Sequence, residues 1–414
     1  ANLTSSKWVV ENSCLYGGTD LFVLISNYHN RTIRGGTWSV HMSHALVSIT
    51  SSTVDNNAHI VSLYSNNPIN VVVDASFSSW IAEDSALKEN SGFFEAQLGA
   101  GFMDVVHTGS VSVNLDEANI LLKRTTFYNG AWAFVSSAFG STSHHSAVTS
   151  LKHASIFMLE SPLIAGCCVV CFMWSSYGIH QAGLVILDGA NITVLSSVMG
   201  FESGVVRSSL NEADVSFSIV ASDLTWLSQN ISLYTTQSSL LSYEGGTDFV
   251  MNISSSSFTF LDVTGNSPII YVQTASDKLV FLFPSTRFVF QRCSIPSFAS
   301  AFHYQLRNDT TLLLDDVLVR DSVVGALFQV IIPWSQSGVV NISNVDVGDS
   351  TVGLLEIIEN NANPYVKAVI PTLTSTWNVS ISQVLYSSSQ GVLFSLEQTV
   401  TTFEVLRLIV REVK

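Results

Sequence analysis

The sequence predicts an all-β chain wound as a single-stranded right-handed parallel β-helix, a solenoid of about fourteen short rungs. Three observations lead there. The chain repeats in pattern: slid by 28 residues, Asp321-Ser322-Val323-Val324-Gly325 falls on Asp349-Ser350-Thr351-Val352-Gly353, and Val317 and Val319 fall on Val345 and Val347. Apolar residues alternate with polar ones at the strand period of two, as in "VVNISNVDV" (339–347). The apolar content is high but scattered in pairs and triplets, which suits a long thin core better than a round one. Mean hydropathy is +0.36, and 12% of the 414 residues are charged, against about 25% in an average soluble protein. The longest strongly apolar run, Pro162–Trp174, is far short of the ~20 residues that span a bilayer.

The repeat unit reads as an apolar residue, Asn or another polar residue, an apolar residue, three or four small polar residues, then a closing apolar one. It recurs in "ANLTSSKW" (1–8), "INVVVDASF" (69–77), "ANILLKRTTF" (118–127), "ANITVLSSV" (190–198), "VSFSIVASDL" (215–224), "MNISSSSF" (251–258), "FVFQRCSI" (288–295) and "WNVSISQV" (377–384). The closing residues Trp8, Val54, Phe77, Phe127, Ile156, Val198, Leu224, Phe258, Ile295, Val319, Val347 and Val384 fall mostly 23–29 residues apart. Wider gaps read as one rung with an added loop, around 135–150, 160–185, 229–247, 268–284 and 358–374. The 50 residues from Phe77 to Phe127 read as two rungs, with "LGAGFM" (98–103) as a degraded middle copy. Residues 1–53 register poorly.

Within a unit, Val340 and Ile342 share one parity while Val345 and Val347 take the other. A continuing strand would put the second pair on the wrong face. A corner near Ser343–Asn344 restores the phase, and Asn tolerates the left-handed conformation that corners need. Each rung is therefore expected to be strand, corner, strand, loop, strand, with rungs stacked about 4.8 Å apart into a rod on the order of 65 Å long. Val, Ser, Thr, Phe and Gly dominate the interiors and disfavour helix; only 83–99 reads as a short helix. A propeller would need regular hairpin turns, and the sole Asn-Gly pair is Asn129-Gly130. The whole of 1–414 reads as one continuous β-helix segment. Neither end carries a Pro- or charge-rich cap, so it is expected to continue in a longer chain or to be covered by a partner.

Net charge is −15 with no basic, aromatic-rich cluster, so nucleic acid is not an expected partner. Eight Asn-x-Ser/Thr sequons, at Asn2, Asn30, Asn191, Asn230, Asn252, Asn308, Asn341 and Asn378, point to an extracellular or cell-surface glycoprotein. Asn2, Asn191, Asn252, Asn341 and Asn378 occupy one position of the repeat, so they are expected along one long face, with Asn230 and Asn308 elsewhere. Five cysteines, Cys14, Cys167, Cys168, Cys171 and Cys293, leave at least one unpaired within the chain.

Short Val/Ser/Asn-rich rungs with sequons in the strands resemble the pectin-lyase-like β-helix surface proteins of single-celled eukaryotes, nearest the adhesin-like proteins of the trypanosomatid dispersed gene family. The resemblance covers about 54–414 and is one of pattern. It implies a large glycosylated extracellular protein with an adhesive role.

β-Helices also include polysaccharide lyases and hydrolases. A polygalacturonase-like site resembles Asn-Thr-Asp, Asp-Asp, Gly-His-Gly and Arg-Ile-Lys in turn, its carboxylates paired as acid and base. Here Asp315-Asp316 stands without Gly-His-Gly or Arg-Ile-Lys. Asp316 reads as a corner residue and Asp315 as solvent-facing. Asp321, beside Arg320, repeats at Asp349 and reads as a turn. His144, His145 and His153 lack further ligands at metal spacing and read as a surface loop. Cys167 and Cys171 share parity while Cys168 opposes them, so "GCCVVC" (166–171) reads as buried small residues. Trp174 and Tyr177 read as core or rung ends before sugar platforms. No catalytic, cofactor or metal residue is assigned. The expected function is a non-catalytic structural or adhesive surface module. A carbohydrate-active enzyme and a subunit of an extracellular filament or sheath are the alternatives. Expected partners are N-linked glycans, cell-surface or matrix glycans or proteins, and further copies of the chain joined end to end.

Overall fold

A computed structural model describes residues 1–26, 36–65, 70–99, 107–139, 143–175, 181–211, 215–235, 237–245, 248–274, 278–303, 309–332, 337–359, 376–387, 394–396, 402–405 and 408–411. The chain is a parallel β-helix, and no helix occurs among the described residues. Each fully described rung crosses four ladders rather than three, although in later rungs two of the stretches run on as one strand, as in Thr225–Leu233 and Ser337–Gly348. One rung runs Asn70–Asp74, Ser79–Glu83, Ala86–Lys88 and Gly92–Gly99, and the chain then starts the next rung at His107–Asn114. We call the four resulting ladders A, B, C and D; all pair in parallel, rung upon rung. The helix expected over 83–99 is thus absent. Leu87, Phe93, Phe94, Ala96 and Leu98 are instead buried from strands.

Ladder B shows the stacking best. Trp8, Val47, Trp80, Ile120, Ile156, Ile192, Trp226, Phe258, Phe288, Val317, Val345, Val384 and Leu408 follow one another in register as one thirteen-residue column. Successive members are 28–40 residues apart, with 24 for the last step. The expected period of 23–29 is corrected accordingly, while the thirteen positions stand close to the expected fourteen, and the column spans roughly 60 Å. The error has a physical source. Corners A–B and B–C are both a strand, one left-handed residue and a strand, so the motif matches two corners of the same rung. Phe77 lies at corner A–B and Phe127 in ladder C, with corners at Asp84 and Glu117 between them; of "LGAGFM" only Leu98 and Gly99, which end a ladder D strand, are among the described residues. Four of the expected loop insertions are largely strand: Trp132–Phe139 with Ser143–Ser150, Cys168–Ser175, Thr225–Leu233 with Leu241–Glu244, and Ile270–Thr274 with Lys278–Phe283. The fifth, 358–374, lies almost wholly outside the described residues.

The corners explain the Asn, Asp and Ser content. At corner A–B, His44, Phe77, Glu117, His153, Asp223, Ser255, Ser285, Asp316, Asn344 and Gln383 all have φ near +55°. At corner B–C the same holds for Asn12, Ser51, Asp84, Arg124, Glu160, Ser196, Asn230, Asp262, Arg292, Asp321 and Asp349. Each such residue costs about 1–2 kcal/mol of backbone strain. The offset is an unbroken ladder: Asp84 N–H donates to Lys123 O at 3.0 Å, Arg124 N–H to Leu159 O at 2.8 Å and Glu160 N–H to Leu195 O at 3.0 Å.

From Ser52 onward the residue after each described B–C corner turns inward, and there a hydroxyl spine, interrupted at Ile231, Val263 and Cys293, runs up the rod. Ser52, Ser161 and Ser197 Oγ accept the N–H of Ser13, Thr125 and Ser161 at 3.0, 3.1 and 3.1 Å. Ser322 and Ser350 do the same for Cys293 and Ser322, at 2.9 and 3.0 Å. Small buried hydroxyls therefore satisfy amides that the turn would otherwise leave unpaired. The rest of the interior is one apolar cluster, with aromatic stacks such as Trp226–Phe258–Phe288 at 6.0 and 5.1 Å between centroids.

Candidate functional site

Ladder D departs from simple alternation. At the start of its strands two consecutive residues point inward: Ile60 and Val61, Phe93 and Phe94, Ala133 and Phe134, Val169 and Val170, Val205 and Val206 are all buried. The first and fourth positions of each strand then face outward on either side of a bend. Cys168 and Cys171 hold these positions in one rung and are joined by a disulfide, their Cα atoms 5.8 Å apart. An extended strand would separate them by about 10 Å. The bend is therefore concave on the outside, and a crease runs along the rod there.

Trp132, Val135, Cys168 and Cys171 form a second buried cluster in the crease, distinct from the main core, with Met173 against it. Gly92 lies between His59 and Trp132 in the column. Having no side chain, it lets the indole cross it to stack on the His59 ring, at 5.8 Å and 15°. A Cβ at Gly92 would lie 2.5 Å from Trp132 Cδ1 and against the Trp132 carbonyl.

His59 holds one end of the crease. Its Nδ1 lies 3.2 Å from Asp20 Oδ1, its Nε2 3.1 Å from Asn90 O and 3.5 Å from Glu95 Oε2. Burial pushes the Glu95 carboxyl above its ordinary range, opposed by the charge of His59 and assisted by that of Asp20. Arg207, next to Cys171 in register, holds the other end and is 7% exposed. Its Nη1 donates to Gly166 O at 2.8 Å and its Nη2 to Glu202 Oε2 at 3.0 Å, with Glu244 Oε2 at 3.8 Å. Burial also raises the Glu244 carboxyl, against the pull of Arg207. Trp132 Nε1, Arg207 Nε, Ser242 Oγ and Glu244 Oε1 have no hydrogen-bond partner among the described residues. Chemically this is a closed seam. Arg207 is spent on two carboxylates at one end, His59 lies between Asp20 and Glu95 at the other, and the disulfide clamps the middle.

The residues singled out in the sequence fall elsewhere. Asp316 is at corner A–B with φ +53°, and Asp321 and Asp349 occupy corner B–C, as expected. Asp315 faces outward and is half-buried; its Oδ1 accepts from Ser343 Oγ at 2.8 Å and Asn344 Nδ2 at 2.6 Å in the next rung. Arg320 binds Asp346 Oδ2 at 2.6 Å. His144 and His145 belong to a ladder A strand, Ser143–Ser150, rather than a loop, and His153 caps a corner with its ring over Gly189. No group of three metal-ligating residues occurs among the described residues. Trp174 lies in the strand Cys168–Ser175, and Tyr177 lies outside the described residues.

Cys167, Cys168 and Cys171 are buried, as expected, but the expectation that they do not converge is overturned. Cys168 and Cys171 converge because Val169 and Val170 both turn inward, which shifts the parity between them. Cys167 is buried and free, and burial pushes its thiol up to about 11. Burial raises the Cys293 thiol too, while Cys14 is exposed. The C-x-x-C spacing was the one signal that could have revealed the pair.

Asn2, Asn191, Asn230, Asn252, Asn341 and Asn378 are all exposed. Asn2, Asn252 and Asn341 fall in one ladder A column, and Asn378 is on the same face two residues earlier in its strand. Asn191 does not join them; it opens a ladder B strand, because its motif spans the other corner. Asn230 is elsewhere, at corner B–C, and Asn30 and Asn308 lie outside the described residues. No protein-family model matches this chain, and no curated protein matches it.

Proposed function

We propose that the chain is a non-catalytic structural or adhesive module of an extracellular or cell-surface glycoprotein. The observation that carries this reading is that all six described sequon asparagines stand exposed on a rigid rod. Open N-glycosylation acceptors belong to exported chains. The Cys168–Cys171 disulfide supports the same compartment, since such bonds persist where the surroundings oxidise. The pattern-level likeness to β-helix surface proteins points the same way. The charged groups of the crease are engaged with one another, which favours a mechanical role for them over acid–base catalysis.

The test is secretion from a glycosylating eukaryotic cell, followed by glycopeptide and non-reducing peptide mapping, then binding to cell surfaces and arrayed glycans. Expected are sugar on most exposed sequons, an intact Cys168–Cys171 bond and binding without turnover. A bare, reduced chain retained in the cytosol refutes export, and turnover of uronic-acid polymers refutes the non-catalytic reading.

A further inference from the structure

We infer that the outward face of ladder A is an apolar strip covered by this chain's own N-linked sugar, the first N-acetylglucosamine units on Asn252 and Asn341. This rests on the exported-glycoprotein reading above. Strand alternation puts every second residue of ladder A outside. Between Ile186 and Asn341 the outward column runs Ile186, Val220, Asn252, Leu282, Leu313, Asn341 in register. The outward column beside it runs Leu184, Ser218, Val250, Val280, Thr311, Val339 over the same rungs, four apolar residues and two small hydroxyls. Val339 is 41% exposed, whereas Val280 is covered by its neighbours.

Five rung steps at about 4.8 Å and two columns outline a face on the order of 300 Å², in which Asn252, Asn341, Ser218 and Thr311 are the polar members. The remainder of the Asn252 column toward the chain start is polar: Ser150, Asn114, Asp74 and His41. Within the Asn252 column the apolar residues are thus concentrated where the two sequons sit, whereas the column beside it continues Val148, Ser112, Val72 and Ser39 toward the chain start. Asn252 has Val220 and Leu282 directly above and below it, and Asn341 has Leu313 beside it. Both asparagines are exposed.

A sugar attached there is held at high effective concentration over the strip. N-acetylglucosamine offers an apolar ring face and an acetamide methyl, which match Val and Leu without any charge to desolvate. A second copy laid face to face would need the sheets about 10 Å apart, and a glycan rooted in the middle of the strip prevents that approach.

The test uses the secreted chain, with N252Q, N341Q and the double variant, and N191Q as a control for a glycan off the strip. Expected are occupied Asn252 and Asn341, a monomeric wild type with little binding of a hydrophobic dye, and N191Q unchanged. The double variant should bind about three-fold or more dye and self-associate with concentration. Adding L282T and L313T to it should return both readouts to wild type, which separates strip exposure from misfolding. Bare Asn252 and Asn341 with sugar on Asn191 and Asn378 overturn this inference alone; a chain bare at every sequon overturns the export reading with it. A double variant with wild-type dye binding and sedimentation, or a fully glycosylated wild type that dimerises through the strip, also overturns the inference.

Discussion

Gly92→Ala is the sharpest test of the crease. Gly92 has no left-handed φ, so alanine can adopt its backbone. On that ground alone the substitution should stabilise by about 0.4–1 kcal/mol, through a less free unfolded chain. The structure predicts the opposite sign. The new methyl would lie 2.5 Å from Trp132 Cδ1 and 2.8 Å from Nε1, and against the Trp132 carbonyl. The backbone cannot easily yield, because Gly92 N–H is bonded to Ala58 O at 3.2 Å and Trp132 N–H to Ser91 O at 3.0 Å. Overpacking of this kind costs about 1–3 kcal/mol, and moving the indole off His59 forfeits about 0.5–1.5 kcal/mol of ring contact. We expect a net loss of about 1–3 kcal/mol. A repeat array need not unfold as one unit, so the assay pairs guanidinium unfolding with hydrogen exchange of peptides covering 59–65 and 92–99. Protection there should fall about ten-fold or more, while peptides near 340–347 stay unchanged. In a Trp132→Ala background the added cost of Gly92→Ala should shrink by at least about 1 kcal/mol. A neutral or stabilising Gly92→Ala in the otherwise native chain would show that Gly92 is not making room for the indole.

Three further outcomes follow from other parts of the rod. Ser161→Ala removes the acceptor of the buried Thr125 N–H and the donor to Leu159 O, so it should cost about 1–3 kcal/mol and speed exchange across 119–128; a change under about 0.5 kcal/mol would deny the spine its role. For Glu95, burial holds the folded carboxyl above its unfolded pKa, so the folded state keeps its proton longer and stability falls as pH rises between the two values. Glu95→Gln should therefore raise the unfolding midpoint at pH 7–8 and lose its advantage near pH 4, and a variant weaker at pH 8 would mean that the His59 pairing outweighs burial. Alkylation of the native, unreduced protein at pH 8 should label Cys14 alone. Cys167, held up to about 11 by burial, and Cys293 should label only on unfolding, and Cys168 and Cys171 only after reduction; ready native labelling of Cys167 by peptide mass mapping would refute its burial.

The sequence by itself determined the class of fold and the chemistry of its corners. Alternation and turn chemistry act over a few residues, so they can be read without knowing the neighbours. Asn344, Asp316, Asp321 and Asp349 were legible as corner residues and are left-handed. The inward Val345 and Val347 and the outward Asn252 and Asn341 were legible from parity, and both pairs are placed so. What the tertiary structure decided was register. Two corners of each rung look alike in letters, so only pairing between rungs shows that Asn191 belongs to ladder B while Asn252 belongs to ladder A. The crease was invisible for the same reason. His59 meets Asp20 from 39 residues away and Glu95 from 36, across connections whose lengths vary from rung to rung. Cys168 finds Cys171 only because Val169 and Val170 both turn inward, and that double turn depends on core space left by the rungs above and below. Parity is a local property of the backbone; the phase of one rung against the next is set by burial and hydrogen bonding across the stack.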